Sequence, residues 1–116
     1  MKSRVFRVLG SALVFLSLAT IGFAATITVT NINDAGAGSL RAALTSAMDG
    51  DTIDFNLTGC PCTISLTSAA LRITSDVTIR GPGADQLTIT GNNARQVFAT
   101  QGSAVSATIS GLTIAN

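Results

Sequence analysis

From Ala25 to Asn116 one dipeptide, Thr-Ile, recurs seven times, at Thr26-Ile27, Thr52-Ile53, Thr63-Ile64, Thr78-Ile79, Thr88-Ile89, Thr108-Ile109 and Thr113-Ile114. Its fullest setting is aliphatic-Thr-Ile-polar-Gly, as in Val77-Thr78-Ile79-Arg80-Gly81, Leu87-Thr88-Ile89-Thr90-Gly91 and Ala107-Thr108-Ile109-Ser110-Gly111. Each unit alternates apolar and polar positions, is rich in β-branched residues, and stops at glycine or asparagine. That is the pattern of a short, half-buried strand closed by a sharp corner. A strand of about four residues cannot bury its apolar face alone, so it must stack on copies of itself. Ile53 and Ile79 lie 26 residues apart and Ile79 and Ile109 lie 30 apart, with other strand-like units between them. This spacing suits a coil of several strands per turn. An immunoglobulin-like sandwich would use longer strands and two-residue hairpin signals such as Asn-Gly, whereas the corners here are single glycines. The sequence therefore predicts an all-β fold, a right-handed parallel β-helix or solenoid, with isoleucines stacked inward and threonines facing out.

One segment breaks the β pattern. In Gly38–Met48 the residues Leu40, Ala43, Leu44, Ala47 and Met48 fall at i, i+3, i+4, i+7 and i+8, one apolar stripe of a helix. Ser39 stands as its N-cap and Gly50 just past its end. A solenoid has an open hydrophobic end that must be covered, and a short amphipathic α-helix after the first strand is predicted to be that N-terminal cap.

The first seven residues carry Lys2, Arg4 and Arg7 and no acid, and an uncharged apolar run from Val8 to Ala25 follows. With small residues in Gly22-Phe23-Ala24-Ala25, this reads as a signal peptide of residues 1–24 cut after Ala24. The competing reading is an uncleaved anchor, since about 18 apolar residues lie near the lower limit for spanning a bilayer. Gly10, Ser11, Ser17, Thr20 and Gly22 dilute the run, and the small-residue exit suits cleavage better than a stop-transfer flank. Both readings take the rest of the chain out of the cytoplasm, to the medium, the periplasm, or the cell surface and outer membrane. The expected organisation is residues 1–24 as signal, 25–50 as first strand and cap, and 51–116 as β-helix rungs.

Beyond residue 24 the charged residues are Arg41, Arg72, Arg80 and Arg95 against six aspartates, a formal net charge of −2. A surface able to displace counterions from nucleic acid is absent, so no nucleic-acid partner is expected. A membrane contact is expected only through the signal segment, if that segment is retained. Cys60 and Cys62 flank Pro61, and export exposes them to an oxidising compartment. On an extended strand, residues i and i+2 lie at or beyond the separation a disulfide tolerates, so a bridge needs a tight turn at Pro61. Two free or intermolecularly paired thiols are the favoured reading, with the local Cys60–Cys62 disulfide as its alternative. No zinc site is expected, since four ligands are required and the chain has no histidine.

Candidate chemistry is sparse. Asp49, Asp51 and Asp54 are the densest acids, yet their spacing matches no calcium loop, and Asp49 and Asp51 read more simply as a helix C-terminal turn. Glycoside hydrolysis needs two carboxylates held about 5 to 9.5 Å apart, which six scattered aspartates do not specify. Gly81-Pro82-Gly83 lacks the strand-to-helix context and following lysine of a phosphate loop and reads as a corner. Asn92 and Asn93 suit a tight turn, bonded to backbone or stacked on the next rung. Arg41, on the cap helix, is expected to face solvent or pair with a carboxylate. No catalytic residue, metal site or cofactor is expected.

Three stretches resemble the N-terminal part of secreted right-handed parallel β-helix proteins of the pectin-lyase-like superfamily. They are Asn31 to Leu44, Gly50-Asp51-Thr52-Ile53-Asp54-Phe55, and Val77-Thr78-Ile79-Arg80-Gly81-Pro82-Gly83-Ala84 through Leu87-Thr88-Ile89-Thr90-Gly91-Asn92-Asn93. The first is similar to the opening of proteins named for a Cys-Ser-Leu-Arg-Glu-Ala motif, with Gly38 at the cysteine and Ala42 at the glutamate. The resemblance covers almost all of the chain after the signal. It implies the fold strongly and the function weakly, because autotransporter passengers, polymorphic outer-membrane proteins, adhesin-like proteins, repeat scaffolds and polysaccharide-degrading enzymes share it.

About three rungs fit between Ala25 and Asn116, near the minimum for stacked repeats, and the last residues continue the repeat with no capping element. A truncated or split reading frame is expected. The leading functional expectation is an exported, non-enzymatic β-helix segment that starts a longer surface or secreted adhesin-like or scaffold protein, with a carbohydrate or cell-surface ligand. The runner-up is the start of a polysaccharide lyase or glycoside hydrolase whose catalytic rungs lie beyond Asn116. A third is a short structural protein that self-associates through its open C-terminal end.

Overall fold

A computed structural model describes residues 23–102 and 104–116. The proposed signal peptide lies outside the described residues except for Phe23 and Ala24. Among the described residues, no helix is long and apolar enough to cross a membrane.

The chain winds into a parallel β-helix of about three turns. Among the described residues, nine strands, β1 (Thr26–Val29), β2 (Thr52–Phe55), β3 (Cys62–Ser65), β4 (Leu71–Ile73), β5 (Val77–Arg80), β6 (Leu87–Thr90), β7 (Phe98–Thr100), β8 (Ala107–Ser110) and β9 (Thr113–Ala115), form three sheets. Their orders are β1-β2-β5-β8, β3-β6-β9 and β4-β7. All the pairings are parallel. β1 and β2 pair directly, with the helix between them in the chain; from β2 onward successive strands belong to successive sheets, so every third strand returns to sit on its predecessor.

Register explains why Thr-Ile is repeated. Ile27, Ile53, Ile79 and Ile109 pair in one column, and Ile64, Ile89 and Ile114 in a second. Strand alternation turns each isoleucine inward, where it meets its copy in the coils before and after, about one strand spacing away. Ile53, Ile64, Ile79 and Ile89 are fully buried. The third side is built from Leu71 and Ile73 on β4, paired with Phe98 and Thr100 on β7. Threonines take the outer phase: Thr63 and Thr108 are exposed, while Thr52, Thr78 and Thr88 are half-covered by the neighbouring coils.

The helix, α1 (Leu40–Ser46), is shorter than the stripe from Gly38 to Met48 suggests. Ser39 is its N-cap, its hydroxyl accepting the Ala42 N–H at 3.1 Å, and the chain turns extended at Ala47. Leu40, Ala43, Leu44 and Ala47 are buried over β1 and β4, closing one end of the core. Met48 does not join them and is 72% exposed. Once the helix ends near Ala47, the i+8 position no longer lies above the i+4 position, so the periodic argument fails at that residue.

Candidate functional site

The densest polar constellation joins the cap to the first full coil. Arg41, on the first turn of α1, spreads its guanidinium over four acceptors. Nε donates to the Asp34 carbonyl (2.9 Å), Nη1 to the Ala70 carbonyl (2.9 Å), and Nη2 to Asp34 Oδ1 (2.8 Å) and the Ala69 carbonyl (2.7 Å). Asp34 in turn accepts the Ser68 hydroxyl at 2.6 Å, the Thr67 hydroxyl at 3.3 Å and the Thr67 N–H at 3.2 Å. Burial pushes the Asp34 carboxyl up, but the bonds from Ser68, Arg41 and the Thr67 backbone, with the Arg41 charge, outweigh it and hold the group at about 2. Only a planar fork can serve carbonyls and a carboxylate at once in this way. The arrangement ties the 31–34 loop, the helix and the 67–70 turn into one unit. Arg41 is thus carboxylate-paired, and the three carbonyls it also serves had no signal in the sequence.

Beside it, Arg41, Thr45, Ala69, Ala70 and Arg72 line a cavity of about 180 Å³ between the helix and the β3–β4 turn. Arg41 is committed to its own acceptors, and Arg72 donates to Gln101 Oε1 at 3.1 Å on the next coil. The lining holds no carboxylate, nucleophilic thiol or imidazole.

The aspartates weighed as calcium ligands do separate jobs. Asp49 Oδ1 accepts the Asp76 N–H at 2.8 Å. Asp51 accepts the Ala25 N–H on Oδ1 and the Met48 N–H on Oδ2, each at 2.9 Å. Those two backbone donors lower its pKa against the opposing effect of burial. Asp54 Oδ1 is buried with no protein partner. Among the described residues, no three acids or thiols converge as metal ligands. Asp49 and Asp51 lie in the turn that ends the helix and starts β2, where the Asp51 N–H also donates to the Met48 carbonyl.

Cys60 and Cys62 are joined, with Cα atoms 4.4 Å apart across a cis Cys60-Pro61 bond. The extended geometry that favoured separate thiols is not the one this segment adopts, and no free thiol remains among the described residues. At the next corners, Gly83 N–H donates to the Gly111 carbonyl at 2.7 Å, so Gly81-Pro82-Gly83 is a corner laid on the following coil. Asn92 and Asn93 both take the left-handed backbone, with φ of 58° and 56°. Asn92 Nδ2 and Arg95 Nη1 donate to the Leu66 carbonyl of the preceding coil at 3.1 and 2.7 Å. These asparagine and arginine side chains therefore bind coil to coil.

The described residues thus define a β-solenoid with a helical cap, whose polar groups are mostly spent on holding its coils in register. No protein-family profile, curated protein or solved structure matches the chain.

Proposed function

We propose that the chain is the capped leading segment of an exported, non-enzymatic β-helix protein of the cell surface or medium, of the pectin-lyase-like type, with an adhesin-like or scaffolding role. The observation that carries this reading is the difference between the two ends of the solenoid. One end is closed by Leu40, Ala43 and Leu44 of α1, all buried. At the other, Ile114 is 52% exposed and Ile109 and Leu112 are only partly covered, the kind of apolar surface that a further coil or another molecule would bury. A non-catalytic role is supported by how the polar groups are used: Asp34, Asp49, Asp51 and Arg41 are all engaged in internal hydrogen bonds. The outward threonines, of which Thr26, Thr63 and Thr108 are exposed, suit a carbohydrate or cell-surface ligand.

The test is an intact-mass measurement on the native product in culture medium and envelope fractions, traced with peptides from residues 25–116. The expected result is a species beginning at Ala25 and larger than residues 25–116. A product of residues 25–116 alone that stays monomeric overturns the reading, because the apolar end would then need no cover. A mass that retains residues 1–24 overturns cleavage, and lyase or hydrolase activity of the purified species on polysaccharide overturns the non-enzymatic role.

A further inference from the structure

Asp51 is an acid in an apolar column. Thr26 pairs with Thr52 and Thr52 with Thr78, so one position earlier Ala25, Asp51 and Val77 stand in line. The backbone bonds from Thr52 N–H to the Ala25 carbonyl (2.9 Å) and from Thr78 N–H to the Asp51 carbonyl (3.1 Å) run through the same positions. Strand alternation gives Asp51 the inward phase of Ile53, and it is only 7% exposed. A carboxylate in such a place calls for a counter-charge or several hydrogen bonds. Its two side-chain partners are the neutral N–H groups of Met48 and Ala25. The charged groups on the neighbouring turns are also acids. Asp49 is bonded to the Asp76 N–H, and Asp76, whose side chain accepts the Ser106 N–H, gives its carbonyl to Gly50. Arg41, the one cation on the cap helix, is spent on Asp34 and the 69–70 carbonyls.

The missing cation has a source in the chain itself. Phe23, Ala24 and Ala25 are all exposed, Phe23 at 93%, so the bond between Ala24 and Ala25 is open to a peptidase. Hydrolysis there adds one water, leaves a carboxylate on Ala24 and turns the Ala25 nitrogen into an α-ammonium, which is the atom 2.9 Å from Asp51 Oδ1. We propose that Asp51 is the receptor for the N-terminus created by processing, and that removal of the leader converts a neutral hydrogen bond into a part-buried ion pair that locks β1 onto β2. This rests on the proposed cleavage after Ala24. Charge-assisted bonds of this kind are shorter and stronger than neutral ones, and the surrounding acids Asp49 and Asp76 favour the protonated amine as well. The first strand, already paired with β2, thereby gains a further fastening once the leader is removed.

The processed chain makes the test direct. Lys2 is the only lysine in the sequence, so after cleavage the Ala25 α-amine is the sole primary amine. The 116-residue chain is expressed with its own leader in an exporting host, and the product's mass fixes its first residue. The pH profile of acetylation by an amine-reactive reagent is then recorded on the native protein and on the same protein unfolded in guanidinium chloride. The unfolded profile should turn near the ordinary α-amine value of about 7.7 to 8.0. The native profile should turn at least about one pH unit higher, which is a tenfold loss of reactive amine at neutral pH. D51N should bring the native profile back toward the unfolded one, and the comparison within the wild type stands even if that variant fails to fold. A product starting at Ala25 whose native and unfolded profiles turn at the same pH overturns the ion pair and leaves the export reading intact. A product with any other first residue overturns the proposed cleavage after Ala24 and, with it, the ion pair.

Discussion

Replacing Arg41 by lysine keeps the charge and most of the length of the side chain but removes the planar fork, and the structure says which contacts that removes. The guanidinium makes four hydrogen bonds to three residues. Those to the Asp34 and Ala70 carbonyls are part-buried, and each is worth about 1 kcal/mol, as for an ordinary intramolecular hydrogen bond. That to Asp34 Oδ1 is likewise part-buried but joins charges near the surface, and that to the Ala69 carbonyl is exposed; these two are worth about 0.5 kcal/mol each, in the range of surface ionic contacts. R41A should therefore destabilise the protein by about 3 kcal/mol. R41K, which can satisfy one or two of the acceptors, should lose about 2 kcal/mol. For a domain of this size, 3 kcal/mol lowers Tm by about 15 °C. The assay is guanidinium denaturation of wild type, R41K, R41A, D34N and the R41A/D34N pair, with coupling taken from the double-mutant cycle. The coupling should be about 1 kcal/mol, because Asp34 and Arg41 are in direct contact. If R41K matches wild type within about 0.5 kcal/mol, the fork is not what joins the cap to the first coil and the reasoning fails.

Three further outcomes follow from the same structure. Ile79 is fully buried between Ile53 and Ile109, so I79A should cost about 2–5 kcal/mol in denaturant unfolding, whereas I109A, at a half-covered position of the same column, should cost clearly less; equal effects would contradict the column. A Cβ on Gly81 would fall on the Gly111 carbonyl of the next coil, so G81A should cost about 3 kcal/mol in denaturant unfolding, and a G81A protein as stable as wild type would contradict that close approach. Asp34 titrates at about 2 when folded against 3.8 when free, so its contribution is fully present above about pH 4 and is lost as pH falls toward 2. The full difference corresponds to about 2.5 kcal/mol, which solvent screening at a partly exposed side chain reduces to about 1 kcal/mol, and D34N should flatten that part of an acid-unfolding profile.

The solenoid was legible because its information is local and repeated. Period-two alternation within each Thr-Ile unit sets the inward phase, the glycines and asparagines set the corners, and the spacings of 26 and 30 residues between isoleucines are the spacings of paired strands. The cap was legible from Ser39 and the stripe Leu40, Ala43 and Leu44 for the same reason. The β4–β7 side was less so, since Leu71-Arg72-Ile73 and Phe98-Ala99-Thr100 share no dipeptide and are united only by lying on each other. The Cys60–Cys62 link depended on a local turn that an extended-strand estimate does not contain. The Asp34–Ser68 bond spans 34 residues and joins two loops, where no periodicity constrains the partner.

Asp51 belongs to a middle case in which the signal was present and pointed elsewhere. In Asp51-Thr52-Ile53 the alternation already assigns Asp51 the phase of Ile53, so a strand reading of the segment places a carboxylate toward the core. Grouping it with Asp49 and Asp54 as a possible calcium cluster treats the three acids by proximity in sequence, but their carboxylates go to different neighbours: that of Asp49 to the Asp76 N–H, that of Asp51 to the Ala25 and Met48 N–H groups, while Asp54 on β2 buries one carboxylate oxygen apart from both. In a parallel coil the neighbour of an inward residue is the residue one rung earlier, which for Asp51 is Ala25. The same register that stacks isoleucine on isoleucine therefore brings this acid to the residue at which the leader is proposed to be cut, and that coincidence of rung and processing site is what makes Asp51 more than a turn-forming aspartate.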